Sequence, residues 1–263
     1  MKEGGGKDIA TGGQSRKQLC REIIKTAQAM SHSGLSPGRS GNVSARWRDG
    51  MLITPSGMAY GDLKPRDIVF VDGDGRVPER RRKDAGKSTR KNTGKSAGKR
   101  IGKAEGRRAG KTERQRVPSS EWRFHLAAYG VRAEDQAIVH CHSMHATVLA
   151  CAHKPIPAFH YMVAAAGGDD IPLVAYATFG TESLSKHVRQ GLRNRRACLM
   201  ANHGQIACGA TLQGALELAH EVEELAEQYY KVLLLGEPNV LDAAEMARVR
   251  KKFESYGQKA QVQ

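Results

Sequence analysis

One buried strand constrains this chain more than any other feature of its sequence. Residues 137–139 are apolar and mostly β-branched, and they lead into His140-Cys141-His142, a pattern typical of a strand inside a sheet. Side chains alternate along a strand, so His140 and His142 point to the same face. Two imidazoles about 7 Å apart on one face can share a metal ion if other elements supply further ligands. The alternative interpretation is a pair of hydrogen-bonded core histidines.

Two residues elsewhere in the chain favour the metal site. His203 lies just after the apolar run 199–201, and Glu121 opens a segment with helical spacing. Three imidazoles and one carboxylate from separate elements form the donor set of a zinc site that keeps an exchangeable position. The sequence therefore predicts one Zn²⁺ per subunit, held by Glu121, His140, His142 and His203.

The strong positive charge is confined to one segment. The chain of 263 residues carries a net charge of +15, but residues 80–116 hold 16 basic and 3 acidic residues and account for +13 of it. Such a composition buries too little apolar surface to offset the entropy of ordering the backbone. Residues 79–116 are therefore predicted to be a disordered basic insertion. A solvated loop expansion is one interpretation of it, and weak binding of a polyanion through residues 80–116 is the other.

The cysteines and the apolar runs bear on the cellular compartment. The five cysteines are odd in number and include no Cys-X-X-Cys pair, so reduced thiols are expected rather than a disulfide framework. No apolar run approaches the length of about 18 residues that a membrane span needs, and no export signal is recognisable. These features predict a cytoplasmic protein without membrane contact.

Short strands and helices alternate along the rest of the chain, which is typical of an α/β layered domain around one sheet. Residues 1–13 are predicted to be a flexible tail. Asp49-Gly50 is predicted to be the two-residue turn of a hairpin. A serine of Ser119-Ser120 is the predicted N-cap of a helix with Glu121 in its first turn. Further helices are predicted over residues 15–31, 145–152, 181–194, 212–235 and 242–254.

Several short motifs follow one another in a fixed order along the chain. They are Gly41-Asn42-Val43-Ser44, Leu52-Ile53-Thr54-Pro55-Ser56-Gly57, Pro118-Ser119-Ser120-Glu121, His140-Cys141-His142, His160-Tyr161-Met162, Asn202-His203-Gly204 and Phe253-Glu254-Ser255-Tyr256-Gly257.

This series of motifs resembles the class II aldolase/adducin family over roughly residues 14–78 and 117–260. The resemblance implies a three-layer α/β/α domain with a central, mostly antiparallel sheet. It also implies a single domain over residues 14–260, interrupted by the insertion, and a ring-like tetramer with sites between subunits. Residues 79–116 have no counterpart in the family pattern.

The resemblance also implies roles for individual residues. Glu121 would be a metal ligand that also acts as the base, and Tyr161 would donate a proton to the aldehyde oxygen across the subunit interface. Arg39, just before the first motif, is our own addition to the phosphate site, because a guanidinium can form charge-assisted bonds to phosphate. The phosphate-binding positions would be Asn42, Ser56, Gly57, Ser119 and Ser120, and the aldehyde pocket would contain Phe179, Phe253 and Tyr256.

The function that the resemblance implies is a zinc-dependent aldolase. It would cleave an L-fuculose 1-phosphate-like ketose 1-phosphate to dihydroxyacetone phosphate and an aldehyde. The alternatives are a pentulose-5-phosphate 4-epimerase, a related sugar-phosphate lyase or dehydratase, and a non-catalytic adducin-like binding module. The histidines outside the ligand set are interpreted as structural or surface residues: His125, His145, His153, His160, His187 and His220.

Overall fold

A computed structural model describes residues 14–78 and 116–255, with side chains as far as residue 253. The described part contains six helices: α1 (Arg16–His32), α2 (Trp122–Val131), α3 (Met144–Cys151), α4 (Glu182–Gly191), α5 (Leu212–Leu235) and α6 (Ala243–Ser255). Its strands are β1 (Asn42–Trp47), β2 (Gly50–Ile53), β3 (Val69–Val71), β4 (Ala137–Cys141), β5 (Ile156–Pro157), β6 (Asp170–Ile171), β7 (Leu173–Val174), β8 (Ala197–Met200) and β9 (Gly204–Gly209). Two short 3₁₀ helices span Tyr60–Asp62 and Tyr161–Ala166.

Seven of these strands form one sheet in the order β3-β2-β1-β4-β9-β8-β7. Neighbouring strands are antiparallel except for β7 and β8, which run parallel. The histidine strand β4 lies at the centre of the sheet, and all five of its residues are buried. The expectation of a central, mostly antiparallel sheet is therefore confirmed.

Alternate residues of β4 enter two separate apolar cores. Val139 and Cys141 pack in a core shared with α1, α3 and α5, whereas Ile138 packs in a core shared with α2 and α4. Helices therefore cover both faces of the sheet, and the predicted three-layer α/β/α architecture is confirmed. His140 shares the parity of Ile138, so its side chain lies on the α2 side of the sheet.

Most predicted elements are present, but the first hairpin turn is shifted by one residue. Gly50 pairs with Trp47, so Arg48 and Asp49 form the turn rather than Asp49-Gly50, and Arg48 takes the positive φ of 54°. A Cβ on Gly50 would lie 2.1 Å from the carbonyl oxygen of Val71. The glycine therefore allows β3 to approach β2 closely instead of making the turn.

The start of α2 also differs from the prediction. The N-cap position is Glu121, and no side chain caps this end of the helix. Ser119 instead accepts a hydrogen bond from the backbone N–H of Glu121 through its Oγ, at 3.3 Å. The predictions of a serine N-cap and of an acid in the first turn were therefore wrong. The Glu121 carboxylate faces His140 and His203 instead of the helix terminus.

Several expectations fall on the undescribed part of the chain. The flexible tail (1–13), residues 79–115 of the basic insertion and Tyr256 lie outside the described residues. Arg116, which the sequence assigned to the insertion, instead donates to buried Asp67 at 2.8 Å and holds the pKa of that carboxyl below its usual range against the effect of burial. No helix in the described ranges has the length and apolar character to cross a membrane.

Candidate active site

Four side chains from three parts of the fold converge at one end of the central strands. His140 lies on β4, one residue before the end of the strand, and His142 follows the strand, while His203 lies in the turn between β8 and β9. Glu121 reaches them from the start of α2. Its Oε1 lies 2.9 Å from His203 Nε2 and its Oε2 lies 3.2 Å from His140 Nε2. The ligand atoms of all four residues lie within 4.8 Å of one another.

The hydrogen bonds behind this cluster fit a bound metal ion. His140 Nδ1 lies 2.7 Å from the carbonyl oxygen of Gln205, which only accepts, so Nδ1 carries the proton and Nε2 presents a lone pair. His142 Nε2 faces that lone pair at 3.2 Å. Converging imidazole lone pairs and a carboxylate make a suitable donor set for a divalent cation, with the backbone carbonyl fixing one ring.

Burial keeps the His142 ring neutral. It lowers the pKa of His142 to about 3, with a further contribution from the facing rings of His140 and His203. Burial opposes ionisation of Glu121, but its charge interactions and hydrogen bonds with His140 and His203 outweigh burial and hold the pKa of Glu121 well below its usual range. The site therefore offers a neutral imidazole at His142 and an ionised carboxylate at Glu121, the protonation states in which these groups bind metals.

The turn that carries His203 depends on two special residues. Asn202 adopts a positive φ of 52°, which asparagine tolerates better than most residues, and its Oδ1 accepts from His153 Nε2 at 2.8 Å. A Cβ on Gly204 would lie 2.5 Å from the carbonyl oxygen of Cys141 and 3.0 Å from the His142 ring. The Asn-His-Gly motif therefore brings β9 close enough to β4 for His203 to join the cluster.

A cleft of about 300 Å³ opens beside the cluster. All five predicted phosphate-binding residues line this cleft, together with Glu121, His142 and His203. Arg39 also lines it, and its guanidinium donates to the carbonyl oxygen of Gly57 at 3.3 Å. The structure therefore brings the predicted metal ligands and the predicted phosphate residues together around a single cleft. The five phosphate residues are Asn42, Ser56, Gly57, Ser119 and Ser120.

Backbone hydrogen bonds join the two serine loops of the cleft. The N–H of Ser56 donates to Val117, and the N–H of Ser119 donates to Thr54, both at 3.0 Å. Gly57 follows with a φ of +71°, a conformation that glycine adopts without strain. Both loops are thus held next to each other by the main chain, independently of their side chains.

Asn42 is tied into the protein more tightly than a simple phosphate ligand would be. It is only 2 % exposed. Its Nδ2 donates to Glu121 Oε2 at 2.8 Å, and its Oδ1 faces His125 Nε2 at 2.5 Å. The Nδ2 group carries a second hydrogen that this contact with Glu121 does not use. The phosphate contact expected of Asn42 stays a prediction.

The predicted aldehyde residues are not all in the same place. Phe179 lines the cleft and is 64 % exposed. Tyr161 is 49 % exposed and packs its ring near Phe253, with 6.4 Å between the centroids. Among the described residues that line the cleft, neither Tyr161 nor Phe253 is present. Within one chain, the structure therefore separates the predicted acid from the predicted base.

Sequence reasoning missed two groups of residues at this site. Tyr176 and Asn202 also line the cleft, but the sequence assigned neither of them a role, although Asn202 stands in the Asn202-His203-Gly204 motif. His125, interpreted from the sequence as structural or surface, is fully buried and hydrogen-bonded to Asn42 and Ser44. Its spacing of four residues from Glu121 on α2 is the signal that could have revealed it.

Comparisons with known proteins agree with this architecture. The Class II Aldolase and Adducin N-terminal domain matches residues 21–230. A 5-methylthioribulose-1-phosphate/5-deoxyribulose-1-phosphate aldolase of Rhodospirillum rubrum is 45 % identical over 94 % of this chain and 96 % of its own length. An L-fuculose phosphate aldolase of Escherichia coli O6:H1 is 45 % identical over 92 % of this chain and 97 % of its own. A solved structure of an L-fuculose 1-phosphate aldolase, 34 % identical, covers 95 % of this chain and 100 % of its own, with a TM-score of 0.76.

The chain therefore belongs to the class II aldolase and adducin family. Within that family it is an aldehyde-lyase of the L-fuculose-phosphate aldolase type. The Glu/His cluster is the place where a metal ion can bind in such an enzyme.

Proposed function

We propose that this protein is a zinc-dependent aldolase that cleaves a ketose 1-phosphate to dihydroxyacetone phosphate and an aldehyde. The observation that carries the proposal is the shared cleft, which places a Glu/His₃ donor set beside two serine loops. Three imidazoles with a carboxylate suit Zn²⁺. Small hydroxyls, a glycine and the nearby Arg39 suit a phosphate group.

Glu121 is the proposed base, and Glu121, His140, His142 and His203 are the proposed Zn²⁺ ligands. When bound, Zn²⁺ supplies Lewis acidity that polarises the ketose carbonyl and acidifies the neighbouring C–H. In the direction of cleavage, the C3–C4 bond breaks and its electron pair remains on the dihydroxyacetone phosphate part. In condensation the Glu121 carboxylate removes a proton from that carbon, and in cleavage the same group, first protonated from solvent, returns a proton to it.

Tyr161 is the proposed partner for the aldehyde oxygen. In condensation the Tyr161 phenol gives its proton to the developing alkoxide of the aldehyde, and cleavage is the reverse of this step. The proton taken up by Glu121 returns to the Tyr161 phenolate through solvent, so each turnover leaves both groups in their starting state. Its 49 % exposure and its absence from the described lining of its own cleft support action in a neighbouring subunit. We therefore propose a homo-oligomer, a tetramer by family resemblance, with each site completed by a second chain.

Phosphate recognition is proposed for Asn42, Ser56, Gly57, Ser119 and Ser120, with Arg39 adding a positive charge. The reducing cytoplasm is the proposed compartment. None of the five cysteines, all of which lie in the described part of the chain, forms a disulfide, and burial raises the pKa of Cys141 and Cys198 to about 12, which keeps these two thiols protonated and unreactive.

The identity of the aldehyde part is a second question within this proposal. The relatives that support L-fuculose 1-phosphate are no more similar than the one that acts on 5-methylthioribulose 1-phosphate and 5-deoxyribulose 1-phosphate, each at 45 % identity. These substrates differ by one or two groups, each worth about 1–3 kcal/mol of discrimination. We propose L-fuculose 1-phosphate as the first substrate to test and the 5-deoxy and methylthio compounds as the second.

The test is a panel of the three ketose 1-phosphates on purified protein, with release of dihydroxyacetone phosphate followed by a coupled NADH assay. We expect cleavage of at least one compound, its loss after chelation, and its recovery on adding Zn²⁺. The matched control is the unphosphorylated ketose, which should react far more slowly. Failure to release dihydroxyacetone phosphate from any compound by the zinc-loaded protein would contradict the proposal.

A further inference from the structure

A buried series of hydrogen-bonded polar side chains leads away from Glu121 through Asn42, which also lines the cleft. Asn42 Nδ2 contacts Glu121 Oε2 at 2.8 Å, and Asn42 Oδ1 contacts His125 Nε2 at 2.5 Å. His125 Nδ1 lies 2.7 Å from Ser44 Oγ, which lies 2.9 Å from the hydroxyl of Tyr129. Three of the four links are within ordinary hydrogen-bond distance, and the Asn42–His125 link is shorter.

The chemistry of the groups gives the chain a single direction. An ionised carboxylate only accepts, so the amide nitrogen of Asn42 must face Glu121 and its oxygen must face His125. His125 therefore carries its proton on Nε2, and its Nδ1 accepts from the Ser44 hydroxyl. Tyr129 then donates to Ser44. Every hydrogen bond in the chain donates toward Glu121, an arrangement in which neighbouring bonds polarise one another.

The hydrogen-bonded side chains from Asn42 to Tyr129 are shielded from water and are fixed at both ends. Ser44 and His125 are fully buried, and Tyr129 is only 5 % exposed. The guanidinium of Arg46 stacks over the Tyr129 ring at 4.6 Å and donates to the Tyr129 carbonyl oxygen at 2.7 Å. Water therefore does not compete for these bonds, and a missing donor leaves a buried acceptor unsatisfied.

Two regular spacings create this arrangement. Asn42 and Ser44 are two residues apart on β1 and point to one face of the sheet. His125 and Tyr129 are four residues apart and share one face of α2, in line with Glu121. Polar residues of β1 and of α2 therefore meet inside the apolar core that α2 and α4 share.

We propose that His125 is a positioning residue that, through Asn42, fixes the Glu121 carboxylate between the metal site and the substrate. This proposal rests on the proposed role of Glu121 as ligand and base. Asn42 is able to rotate its amide by half a turn, and the Nε2–H of His125 selects the rotamer that presents a donor to Oε2. Oε1 then stays directed toward His203. In the proposed role, His125 contacts neither the substrate nor the metal ion.

The experiment compares His125→Met with His125→Gln. Methionine has a similar volume but no donor, whereas the glutamine amide nitrogen reaches roughly the position of His Nε2. We expect His125→Met to lower kcat about 10–100-fold with KM changed less than about 2-fold, the range for lost outer-shell partners of metal ligands. His125→Gln should recover most of that loss. A purely structural role would lower the melting temperature and the folded fraction, but it would leave kcat per zinc-loaded site unchanged.

A double-mutant cycle tests the route through Asn42. If His125 acts through this amide, adding His125→Met to an Asn42→Ala background should change kcat by less than about 2-fold, because coupled residues are not additive. Additive losses, or a wild-type kcat in His125→Met, would overturn the proposal. If His125→Met does not fold, the variant Ser44→Ala provides the test instead. A several-fold loss of kcat at constant KM in Ser44→Ala supports the proposal, and wild-type kinetics in Ser44→Ala overturns it.

Metal retention separates this proposal from the proposed function. His125→Met should lose Zn²⁺ to a chelator about 10-fold faster than the wild type, and His125→Gln should not. This readout requires no substrate. If the wild type cleaves no ketose 1-phosphate but the chelator result holds, the proposed function fails while the positioning role of His125 stands. Equal Zn²⁺ loss in all three proteins would count against His125 alone.

Discussion

The metal side of the cleft and the predicted aldehyde side are built in opposite ways. The metal side (Glu121, His140, His142 and His203) is carried by the centre of the sheet and the start of α2. Glu121 is 6 % exposed and His140 is fully buried. The predicted aldehyde side (Tyr161, Phe179 and Phe253) lies on a 3₁₀ helix, on a loop before α4 and on the C-terminal helix, where Tyr161 is 49 % and Phe179 64 % exposed.

This contrast separates chemistry from selectivity. The metal side is fixed by strand pairing and buried hydrogen bonds within one chain, so its geometry does not depend on a partner. On the aldehyde side, Tyr161 and Phe179 present large parts of their rings to solvent. We therefore expect changes of the metal ligands to abolish the reaction, loss of the Tyr161 hydroxyl to lower kcat, and changes of the apolar rings to alter the substrate preference.

The largest effect is expected from removing a metal ligand. His140→Ala leaves two imidazoles and a carboxylate, so stoichiometric Zn²⁺ should be lost and activity should fall by more than the 10–100-fold typical of lost outer-shell partners, to below about 1 %. Metal analysis and the cleavage assay check this. His187→Ala is the matched control and should retain both, because His187 is half-buried on α4 and hydrogen-bonds the carbonyl oxygen of Ala175 rather than joining the cluster. Full zinc content in His140→Ala would remove that residue from the ligand set.

A slightly smaller loss is expected from Glu121→Gln. This variant keeps the size of the side chain but removes the base, so kcat should fall about 10²–10⁴-fold while the fold is retained. Exchange of deuterium into dihydroxyacetone phosphate measures the proton step by itself. Exchange at the wild-type rate would show that another group moves the proton.

The third prediction addresses the separation of Tyr161 from Glu121. Tyr161→Phe should lower kcat about 10–100-fold without changing zinc content, because only the proton donor is removed. Mixed oligomers of Tyr161→Phe and Glu121→Gln subunits should regain activity if the two residues act from different chains. Each variant refolded by itself is the control. If the activity of the mixed oligomers never exceeds the summed activities of the two variants refolded separately, both residues act in the site of one subunit.

Selectivity is the subject of the fourth prediction. Phe179→Ala should change the ratio of kcat/KM between L-fuculose 1-phosphate and 5-methylthioribulose 1-phosphate by about 10-fold, which corresponds to one apolar contact. Inhibition by inorganic phosphate, which reports on the phosphate loops, should stay the same. Ser56→Ala is the opposite control: it should weaken phosphate inhibition and leave the ratio unchanged. A constant ratio in Phe179→Ala would exclude this ring from the aldehyde pocket.

The smallest expected effect concerns the buried histidine beside the metal side. Burial lowers the pKa of His125 to about 3 from its ordinary value of 6.5. Below pH 6.5 the unfolded chain takes up a proton that the folded chain does not, so metal-free protein should lose stability as the pH falls. The loss should reach about 1.4 kcal/mol per pH unit for this group. Denaturant unfolding at pH 7 and pH 5 measures it, and His125→Gln should flatten the dependence.

Sequence patterns predicted those features that depend on local periodicity. Alternation along β4 placed His140 and His142 on one face, and the helical spacing of α5 matched its observed length. The shifted turn at Arg48 was not predictable, since the need for Gly50 arises from β3, about twenty residues away. The role of His125 was missed for a similar reason, because its partner Asn42 lies on a strand more than eighty residues earlier. The absence of Tyr161 and Phe253 from the described lining of the cleft is a matter of tertiary placement, which local periodicity does not encode.

The paired serine loops have a consequence for how fast and how tightly an anion is captured. Because Ser56 and Ser119 each donate a backbone N–H to the opposite loop, the loops keep their shape before any phosphate arrives. Binding then requires little ordering, and ordering is one of the main free-energy costs of recognition. The cleft is in this sense preorganised. Association should be limited by diffusion and desolvation of the phosphate, and not by a closing motion of these two loops.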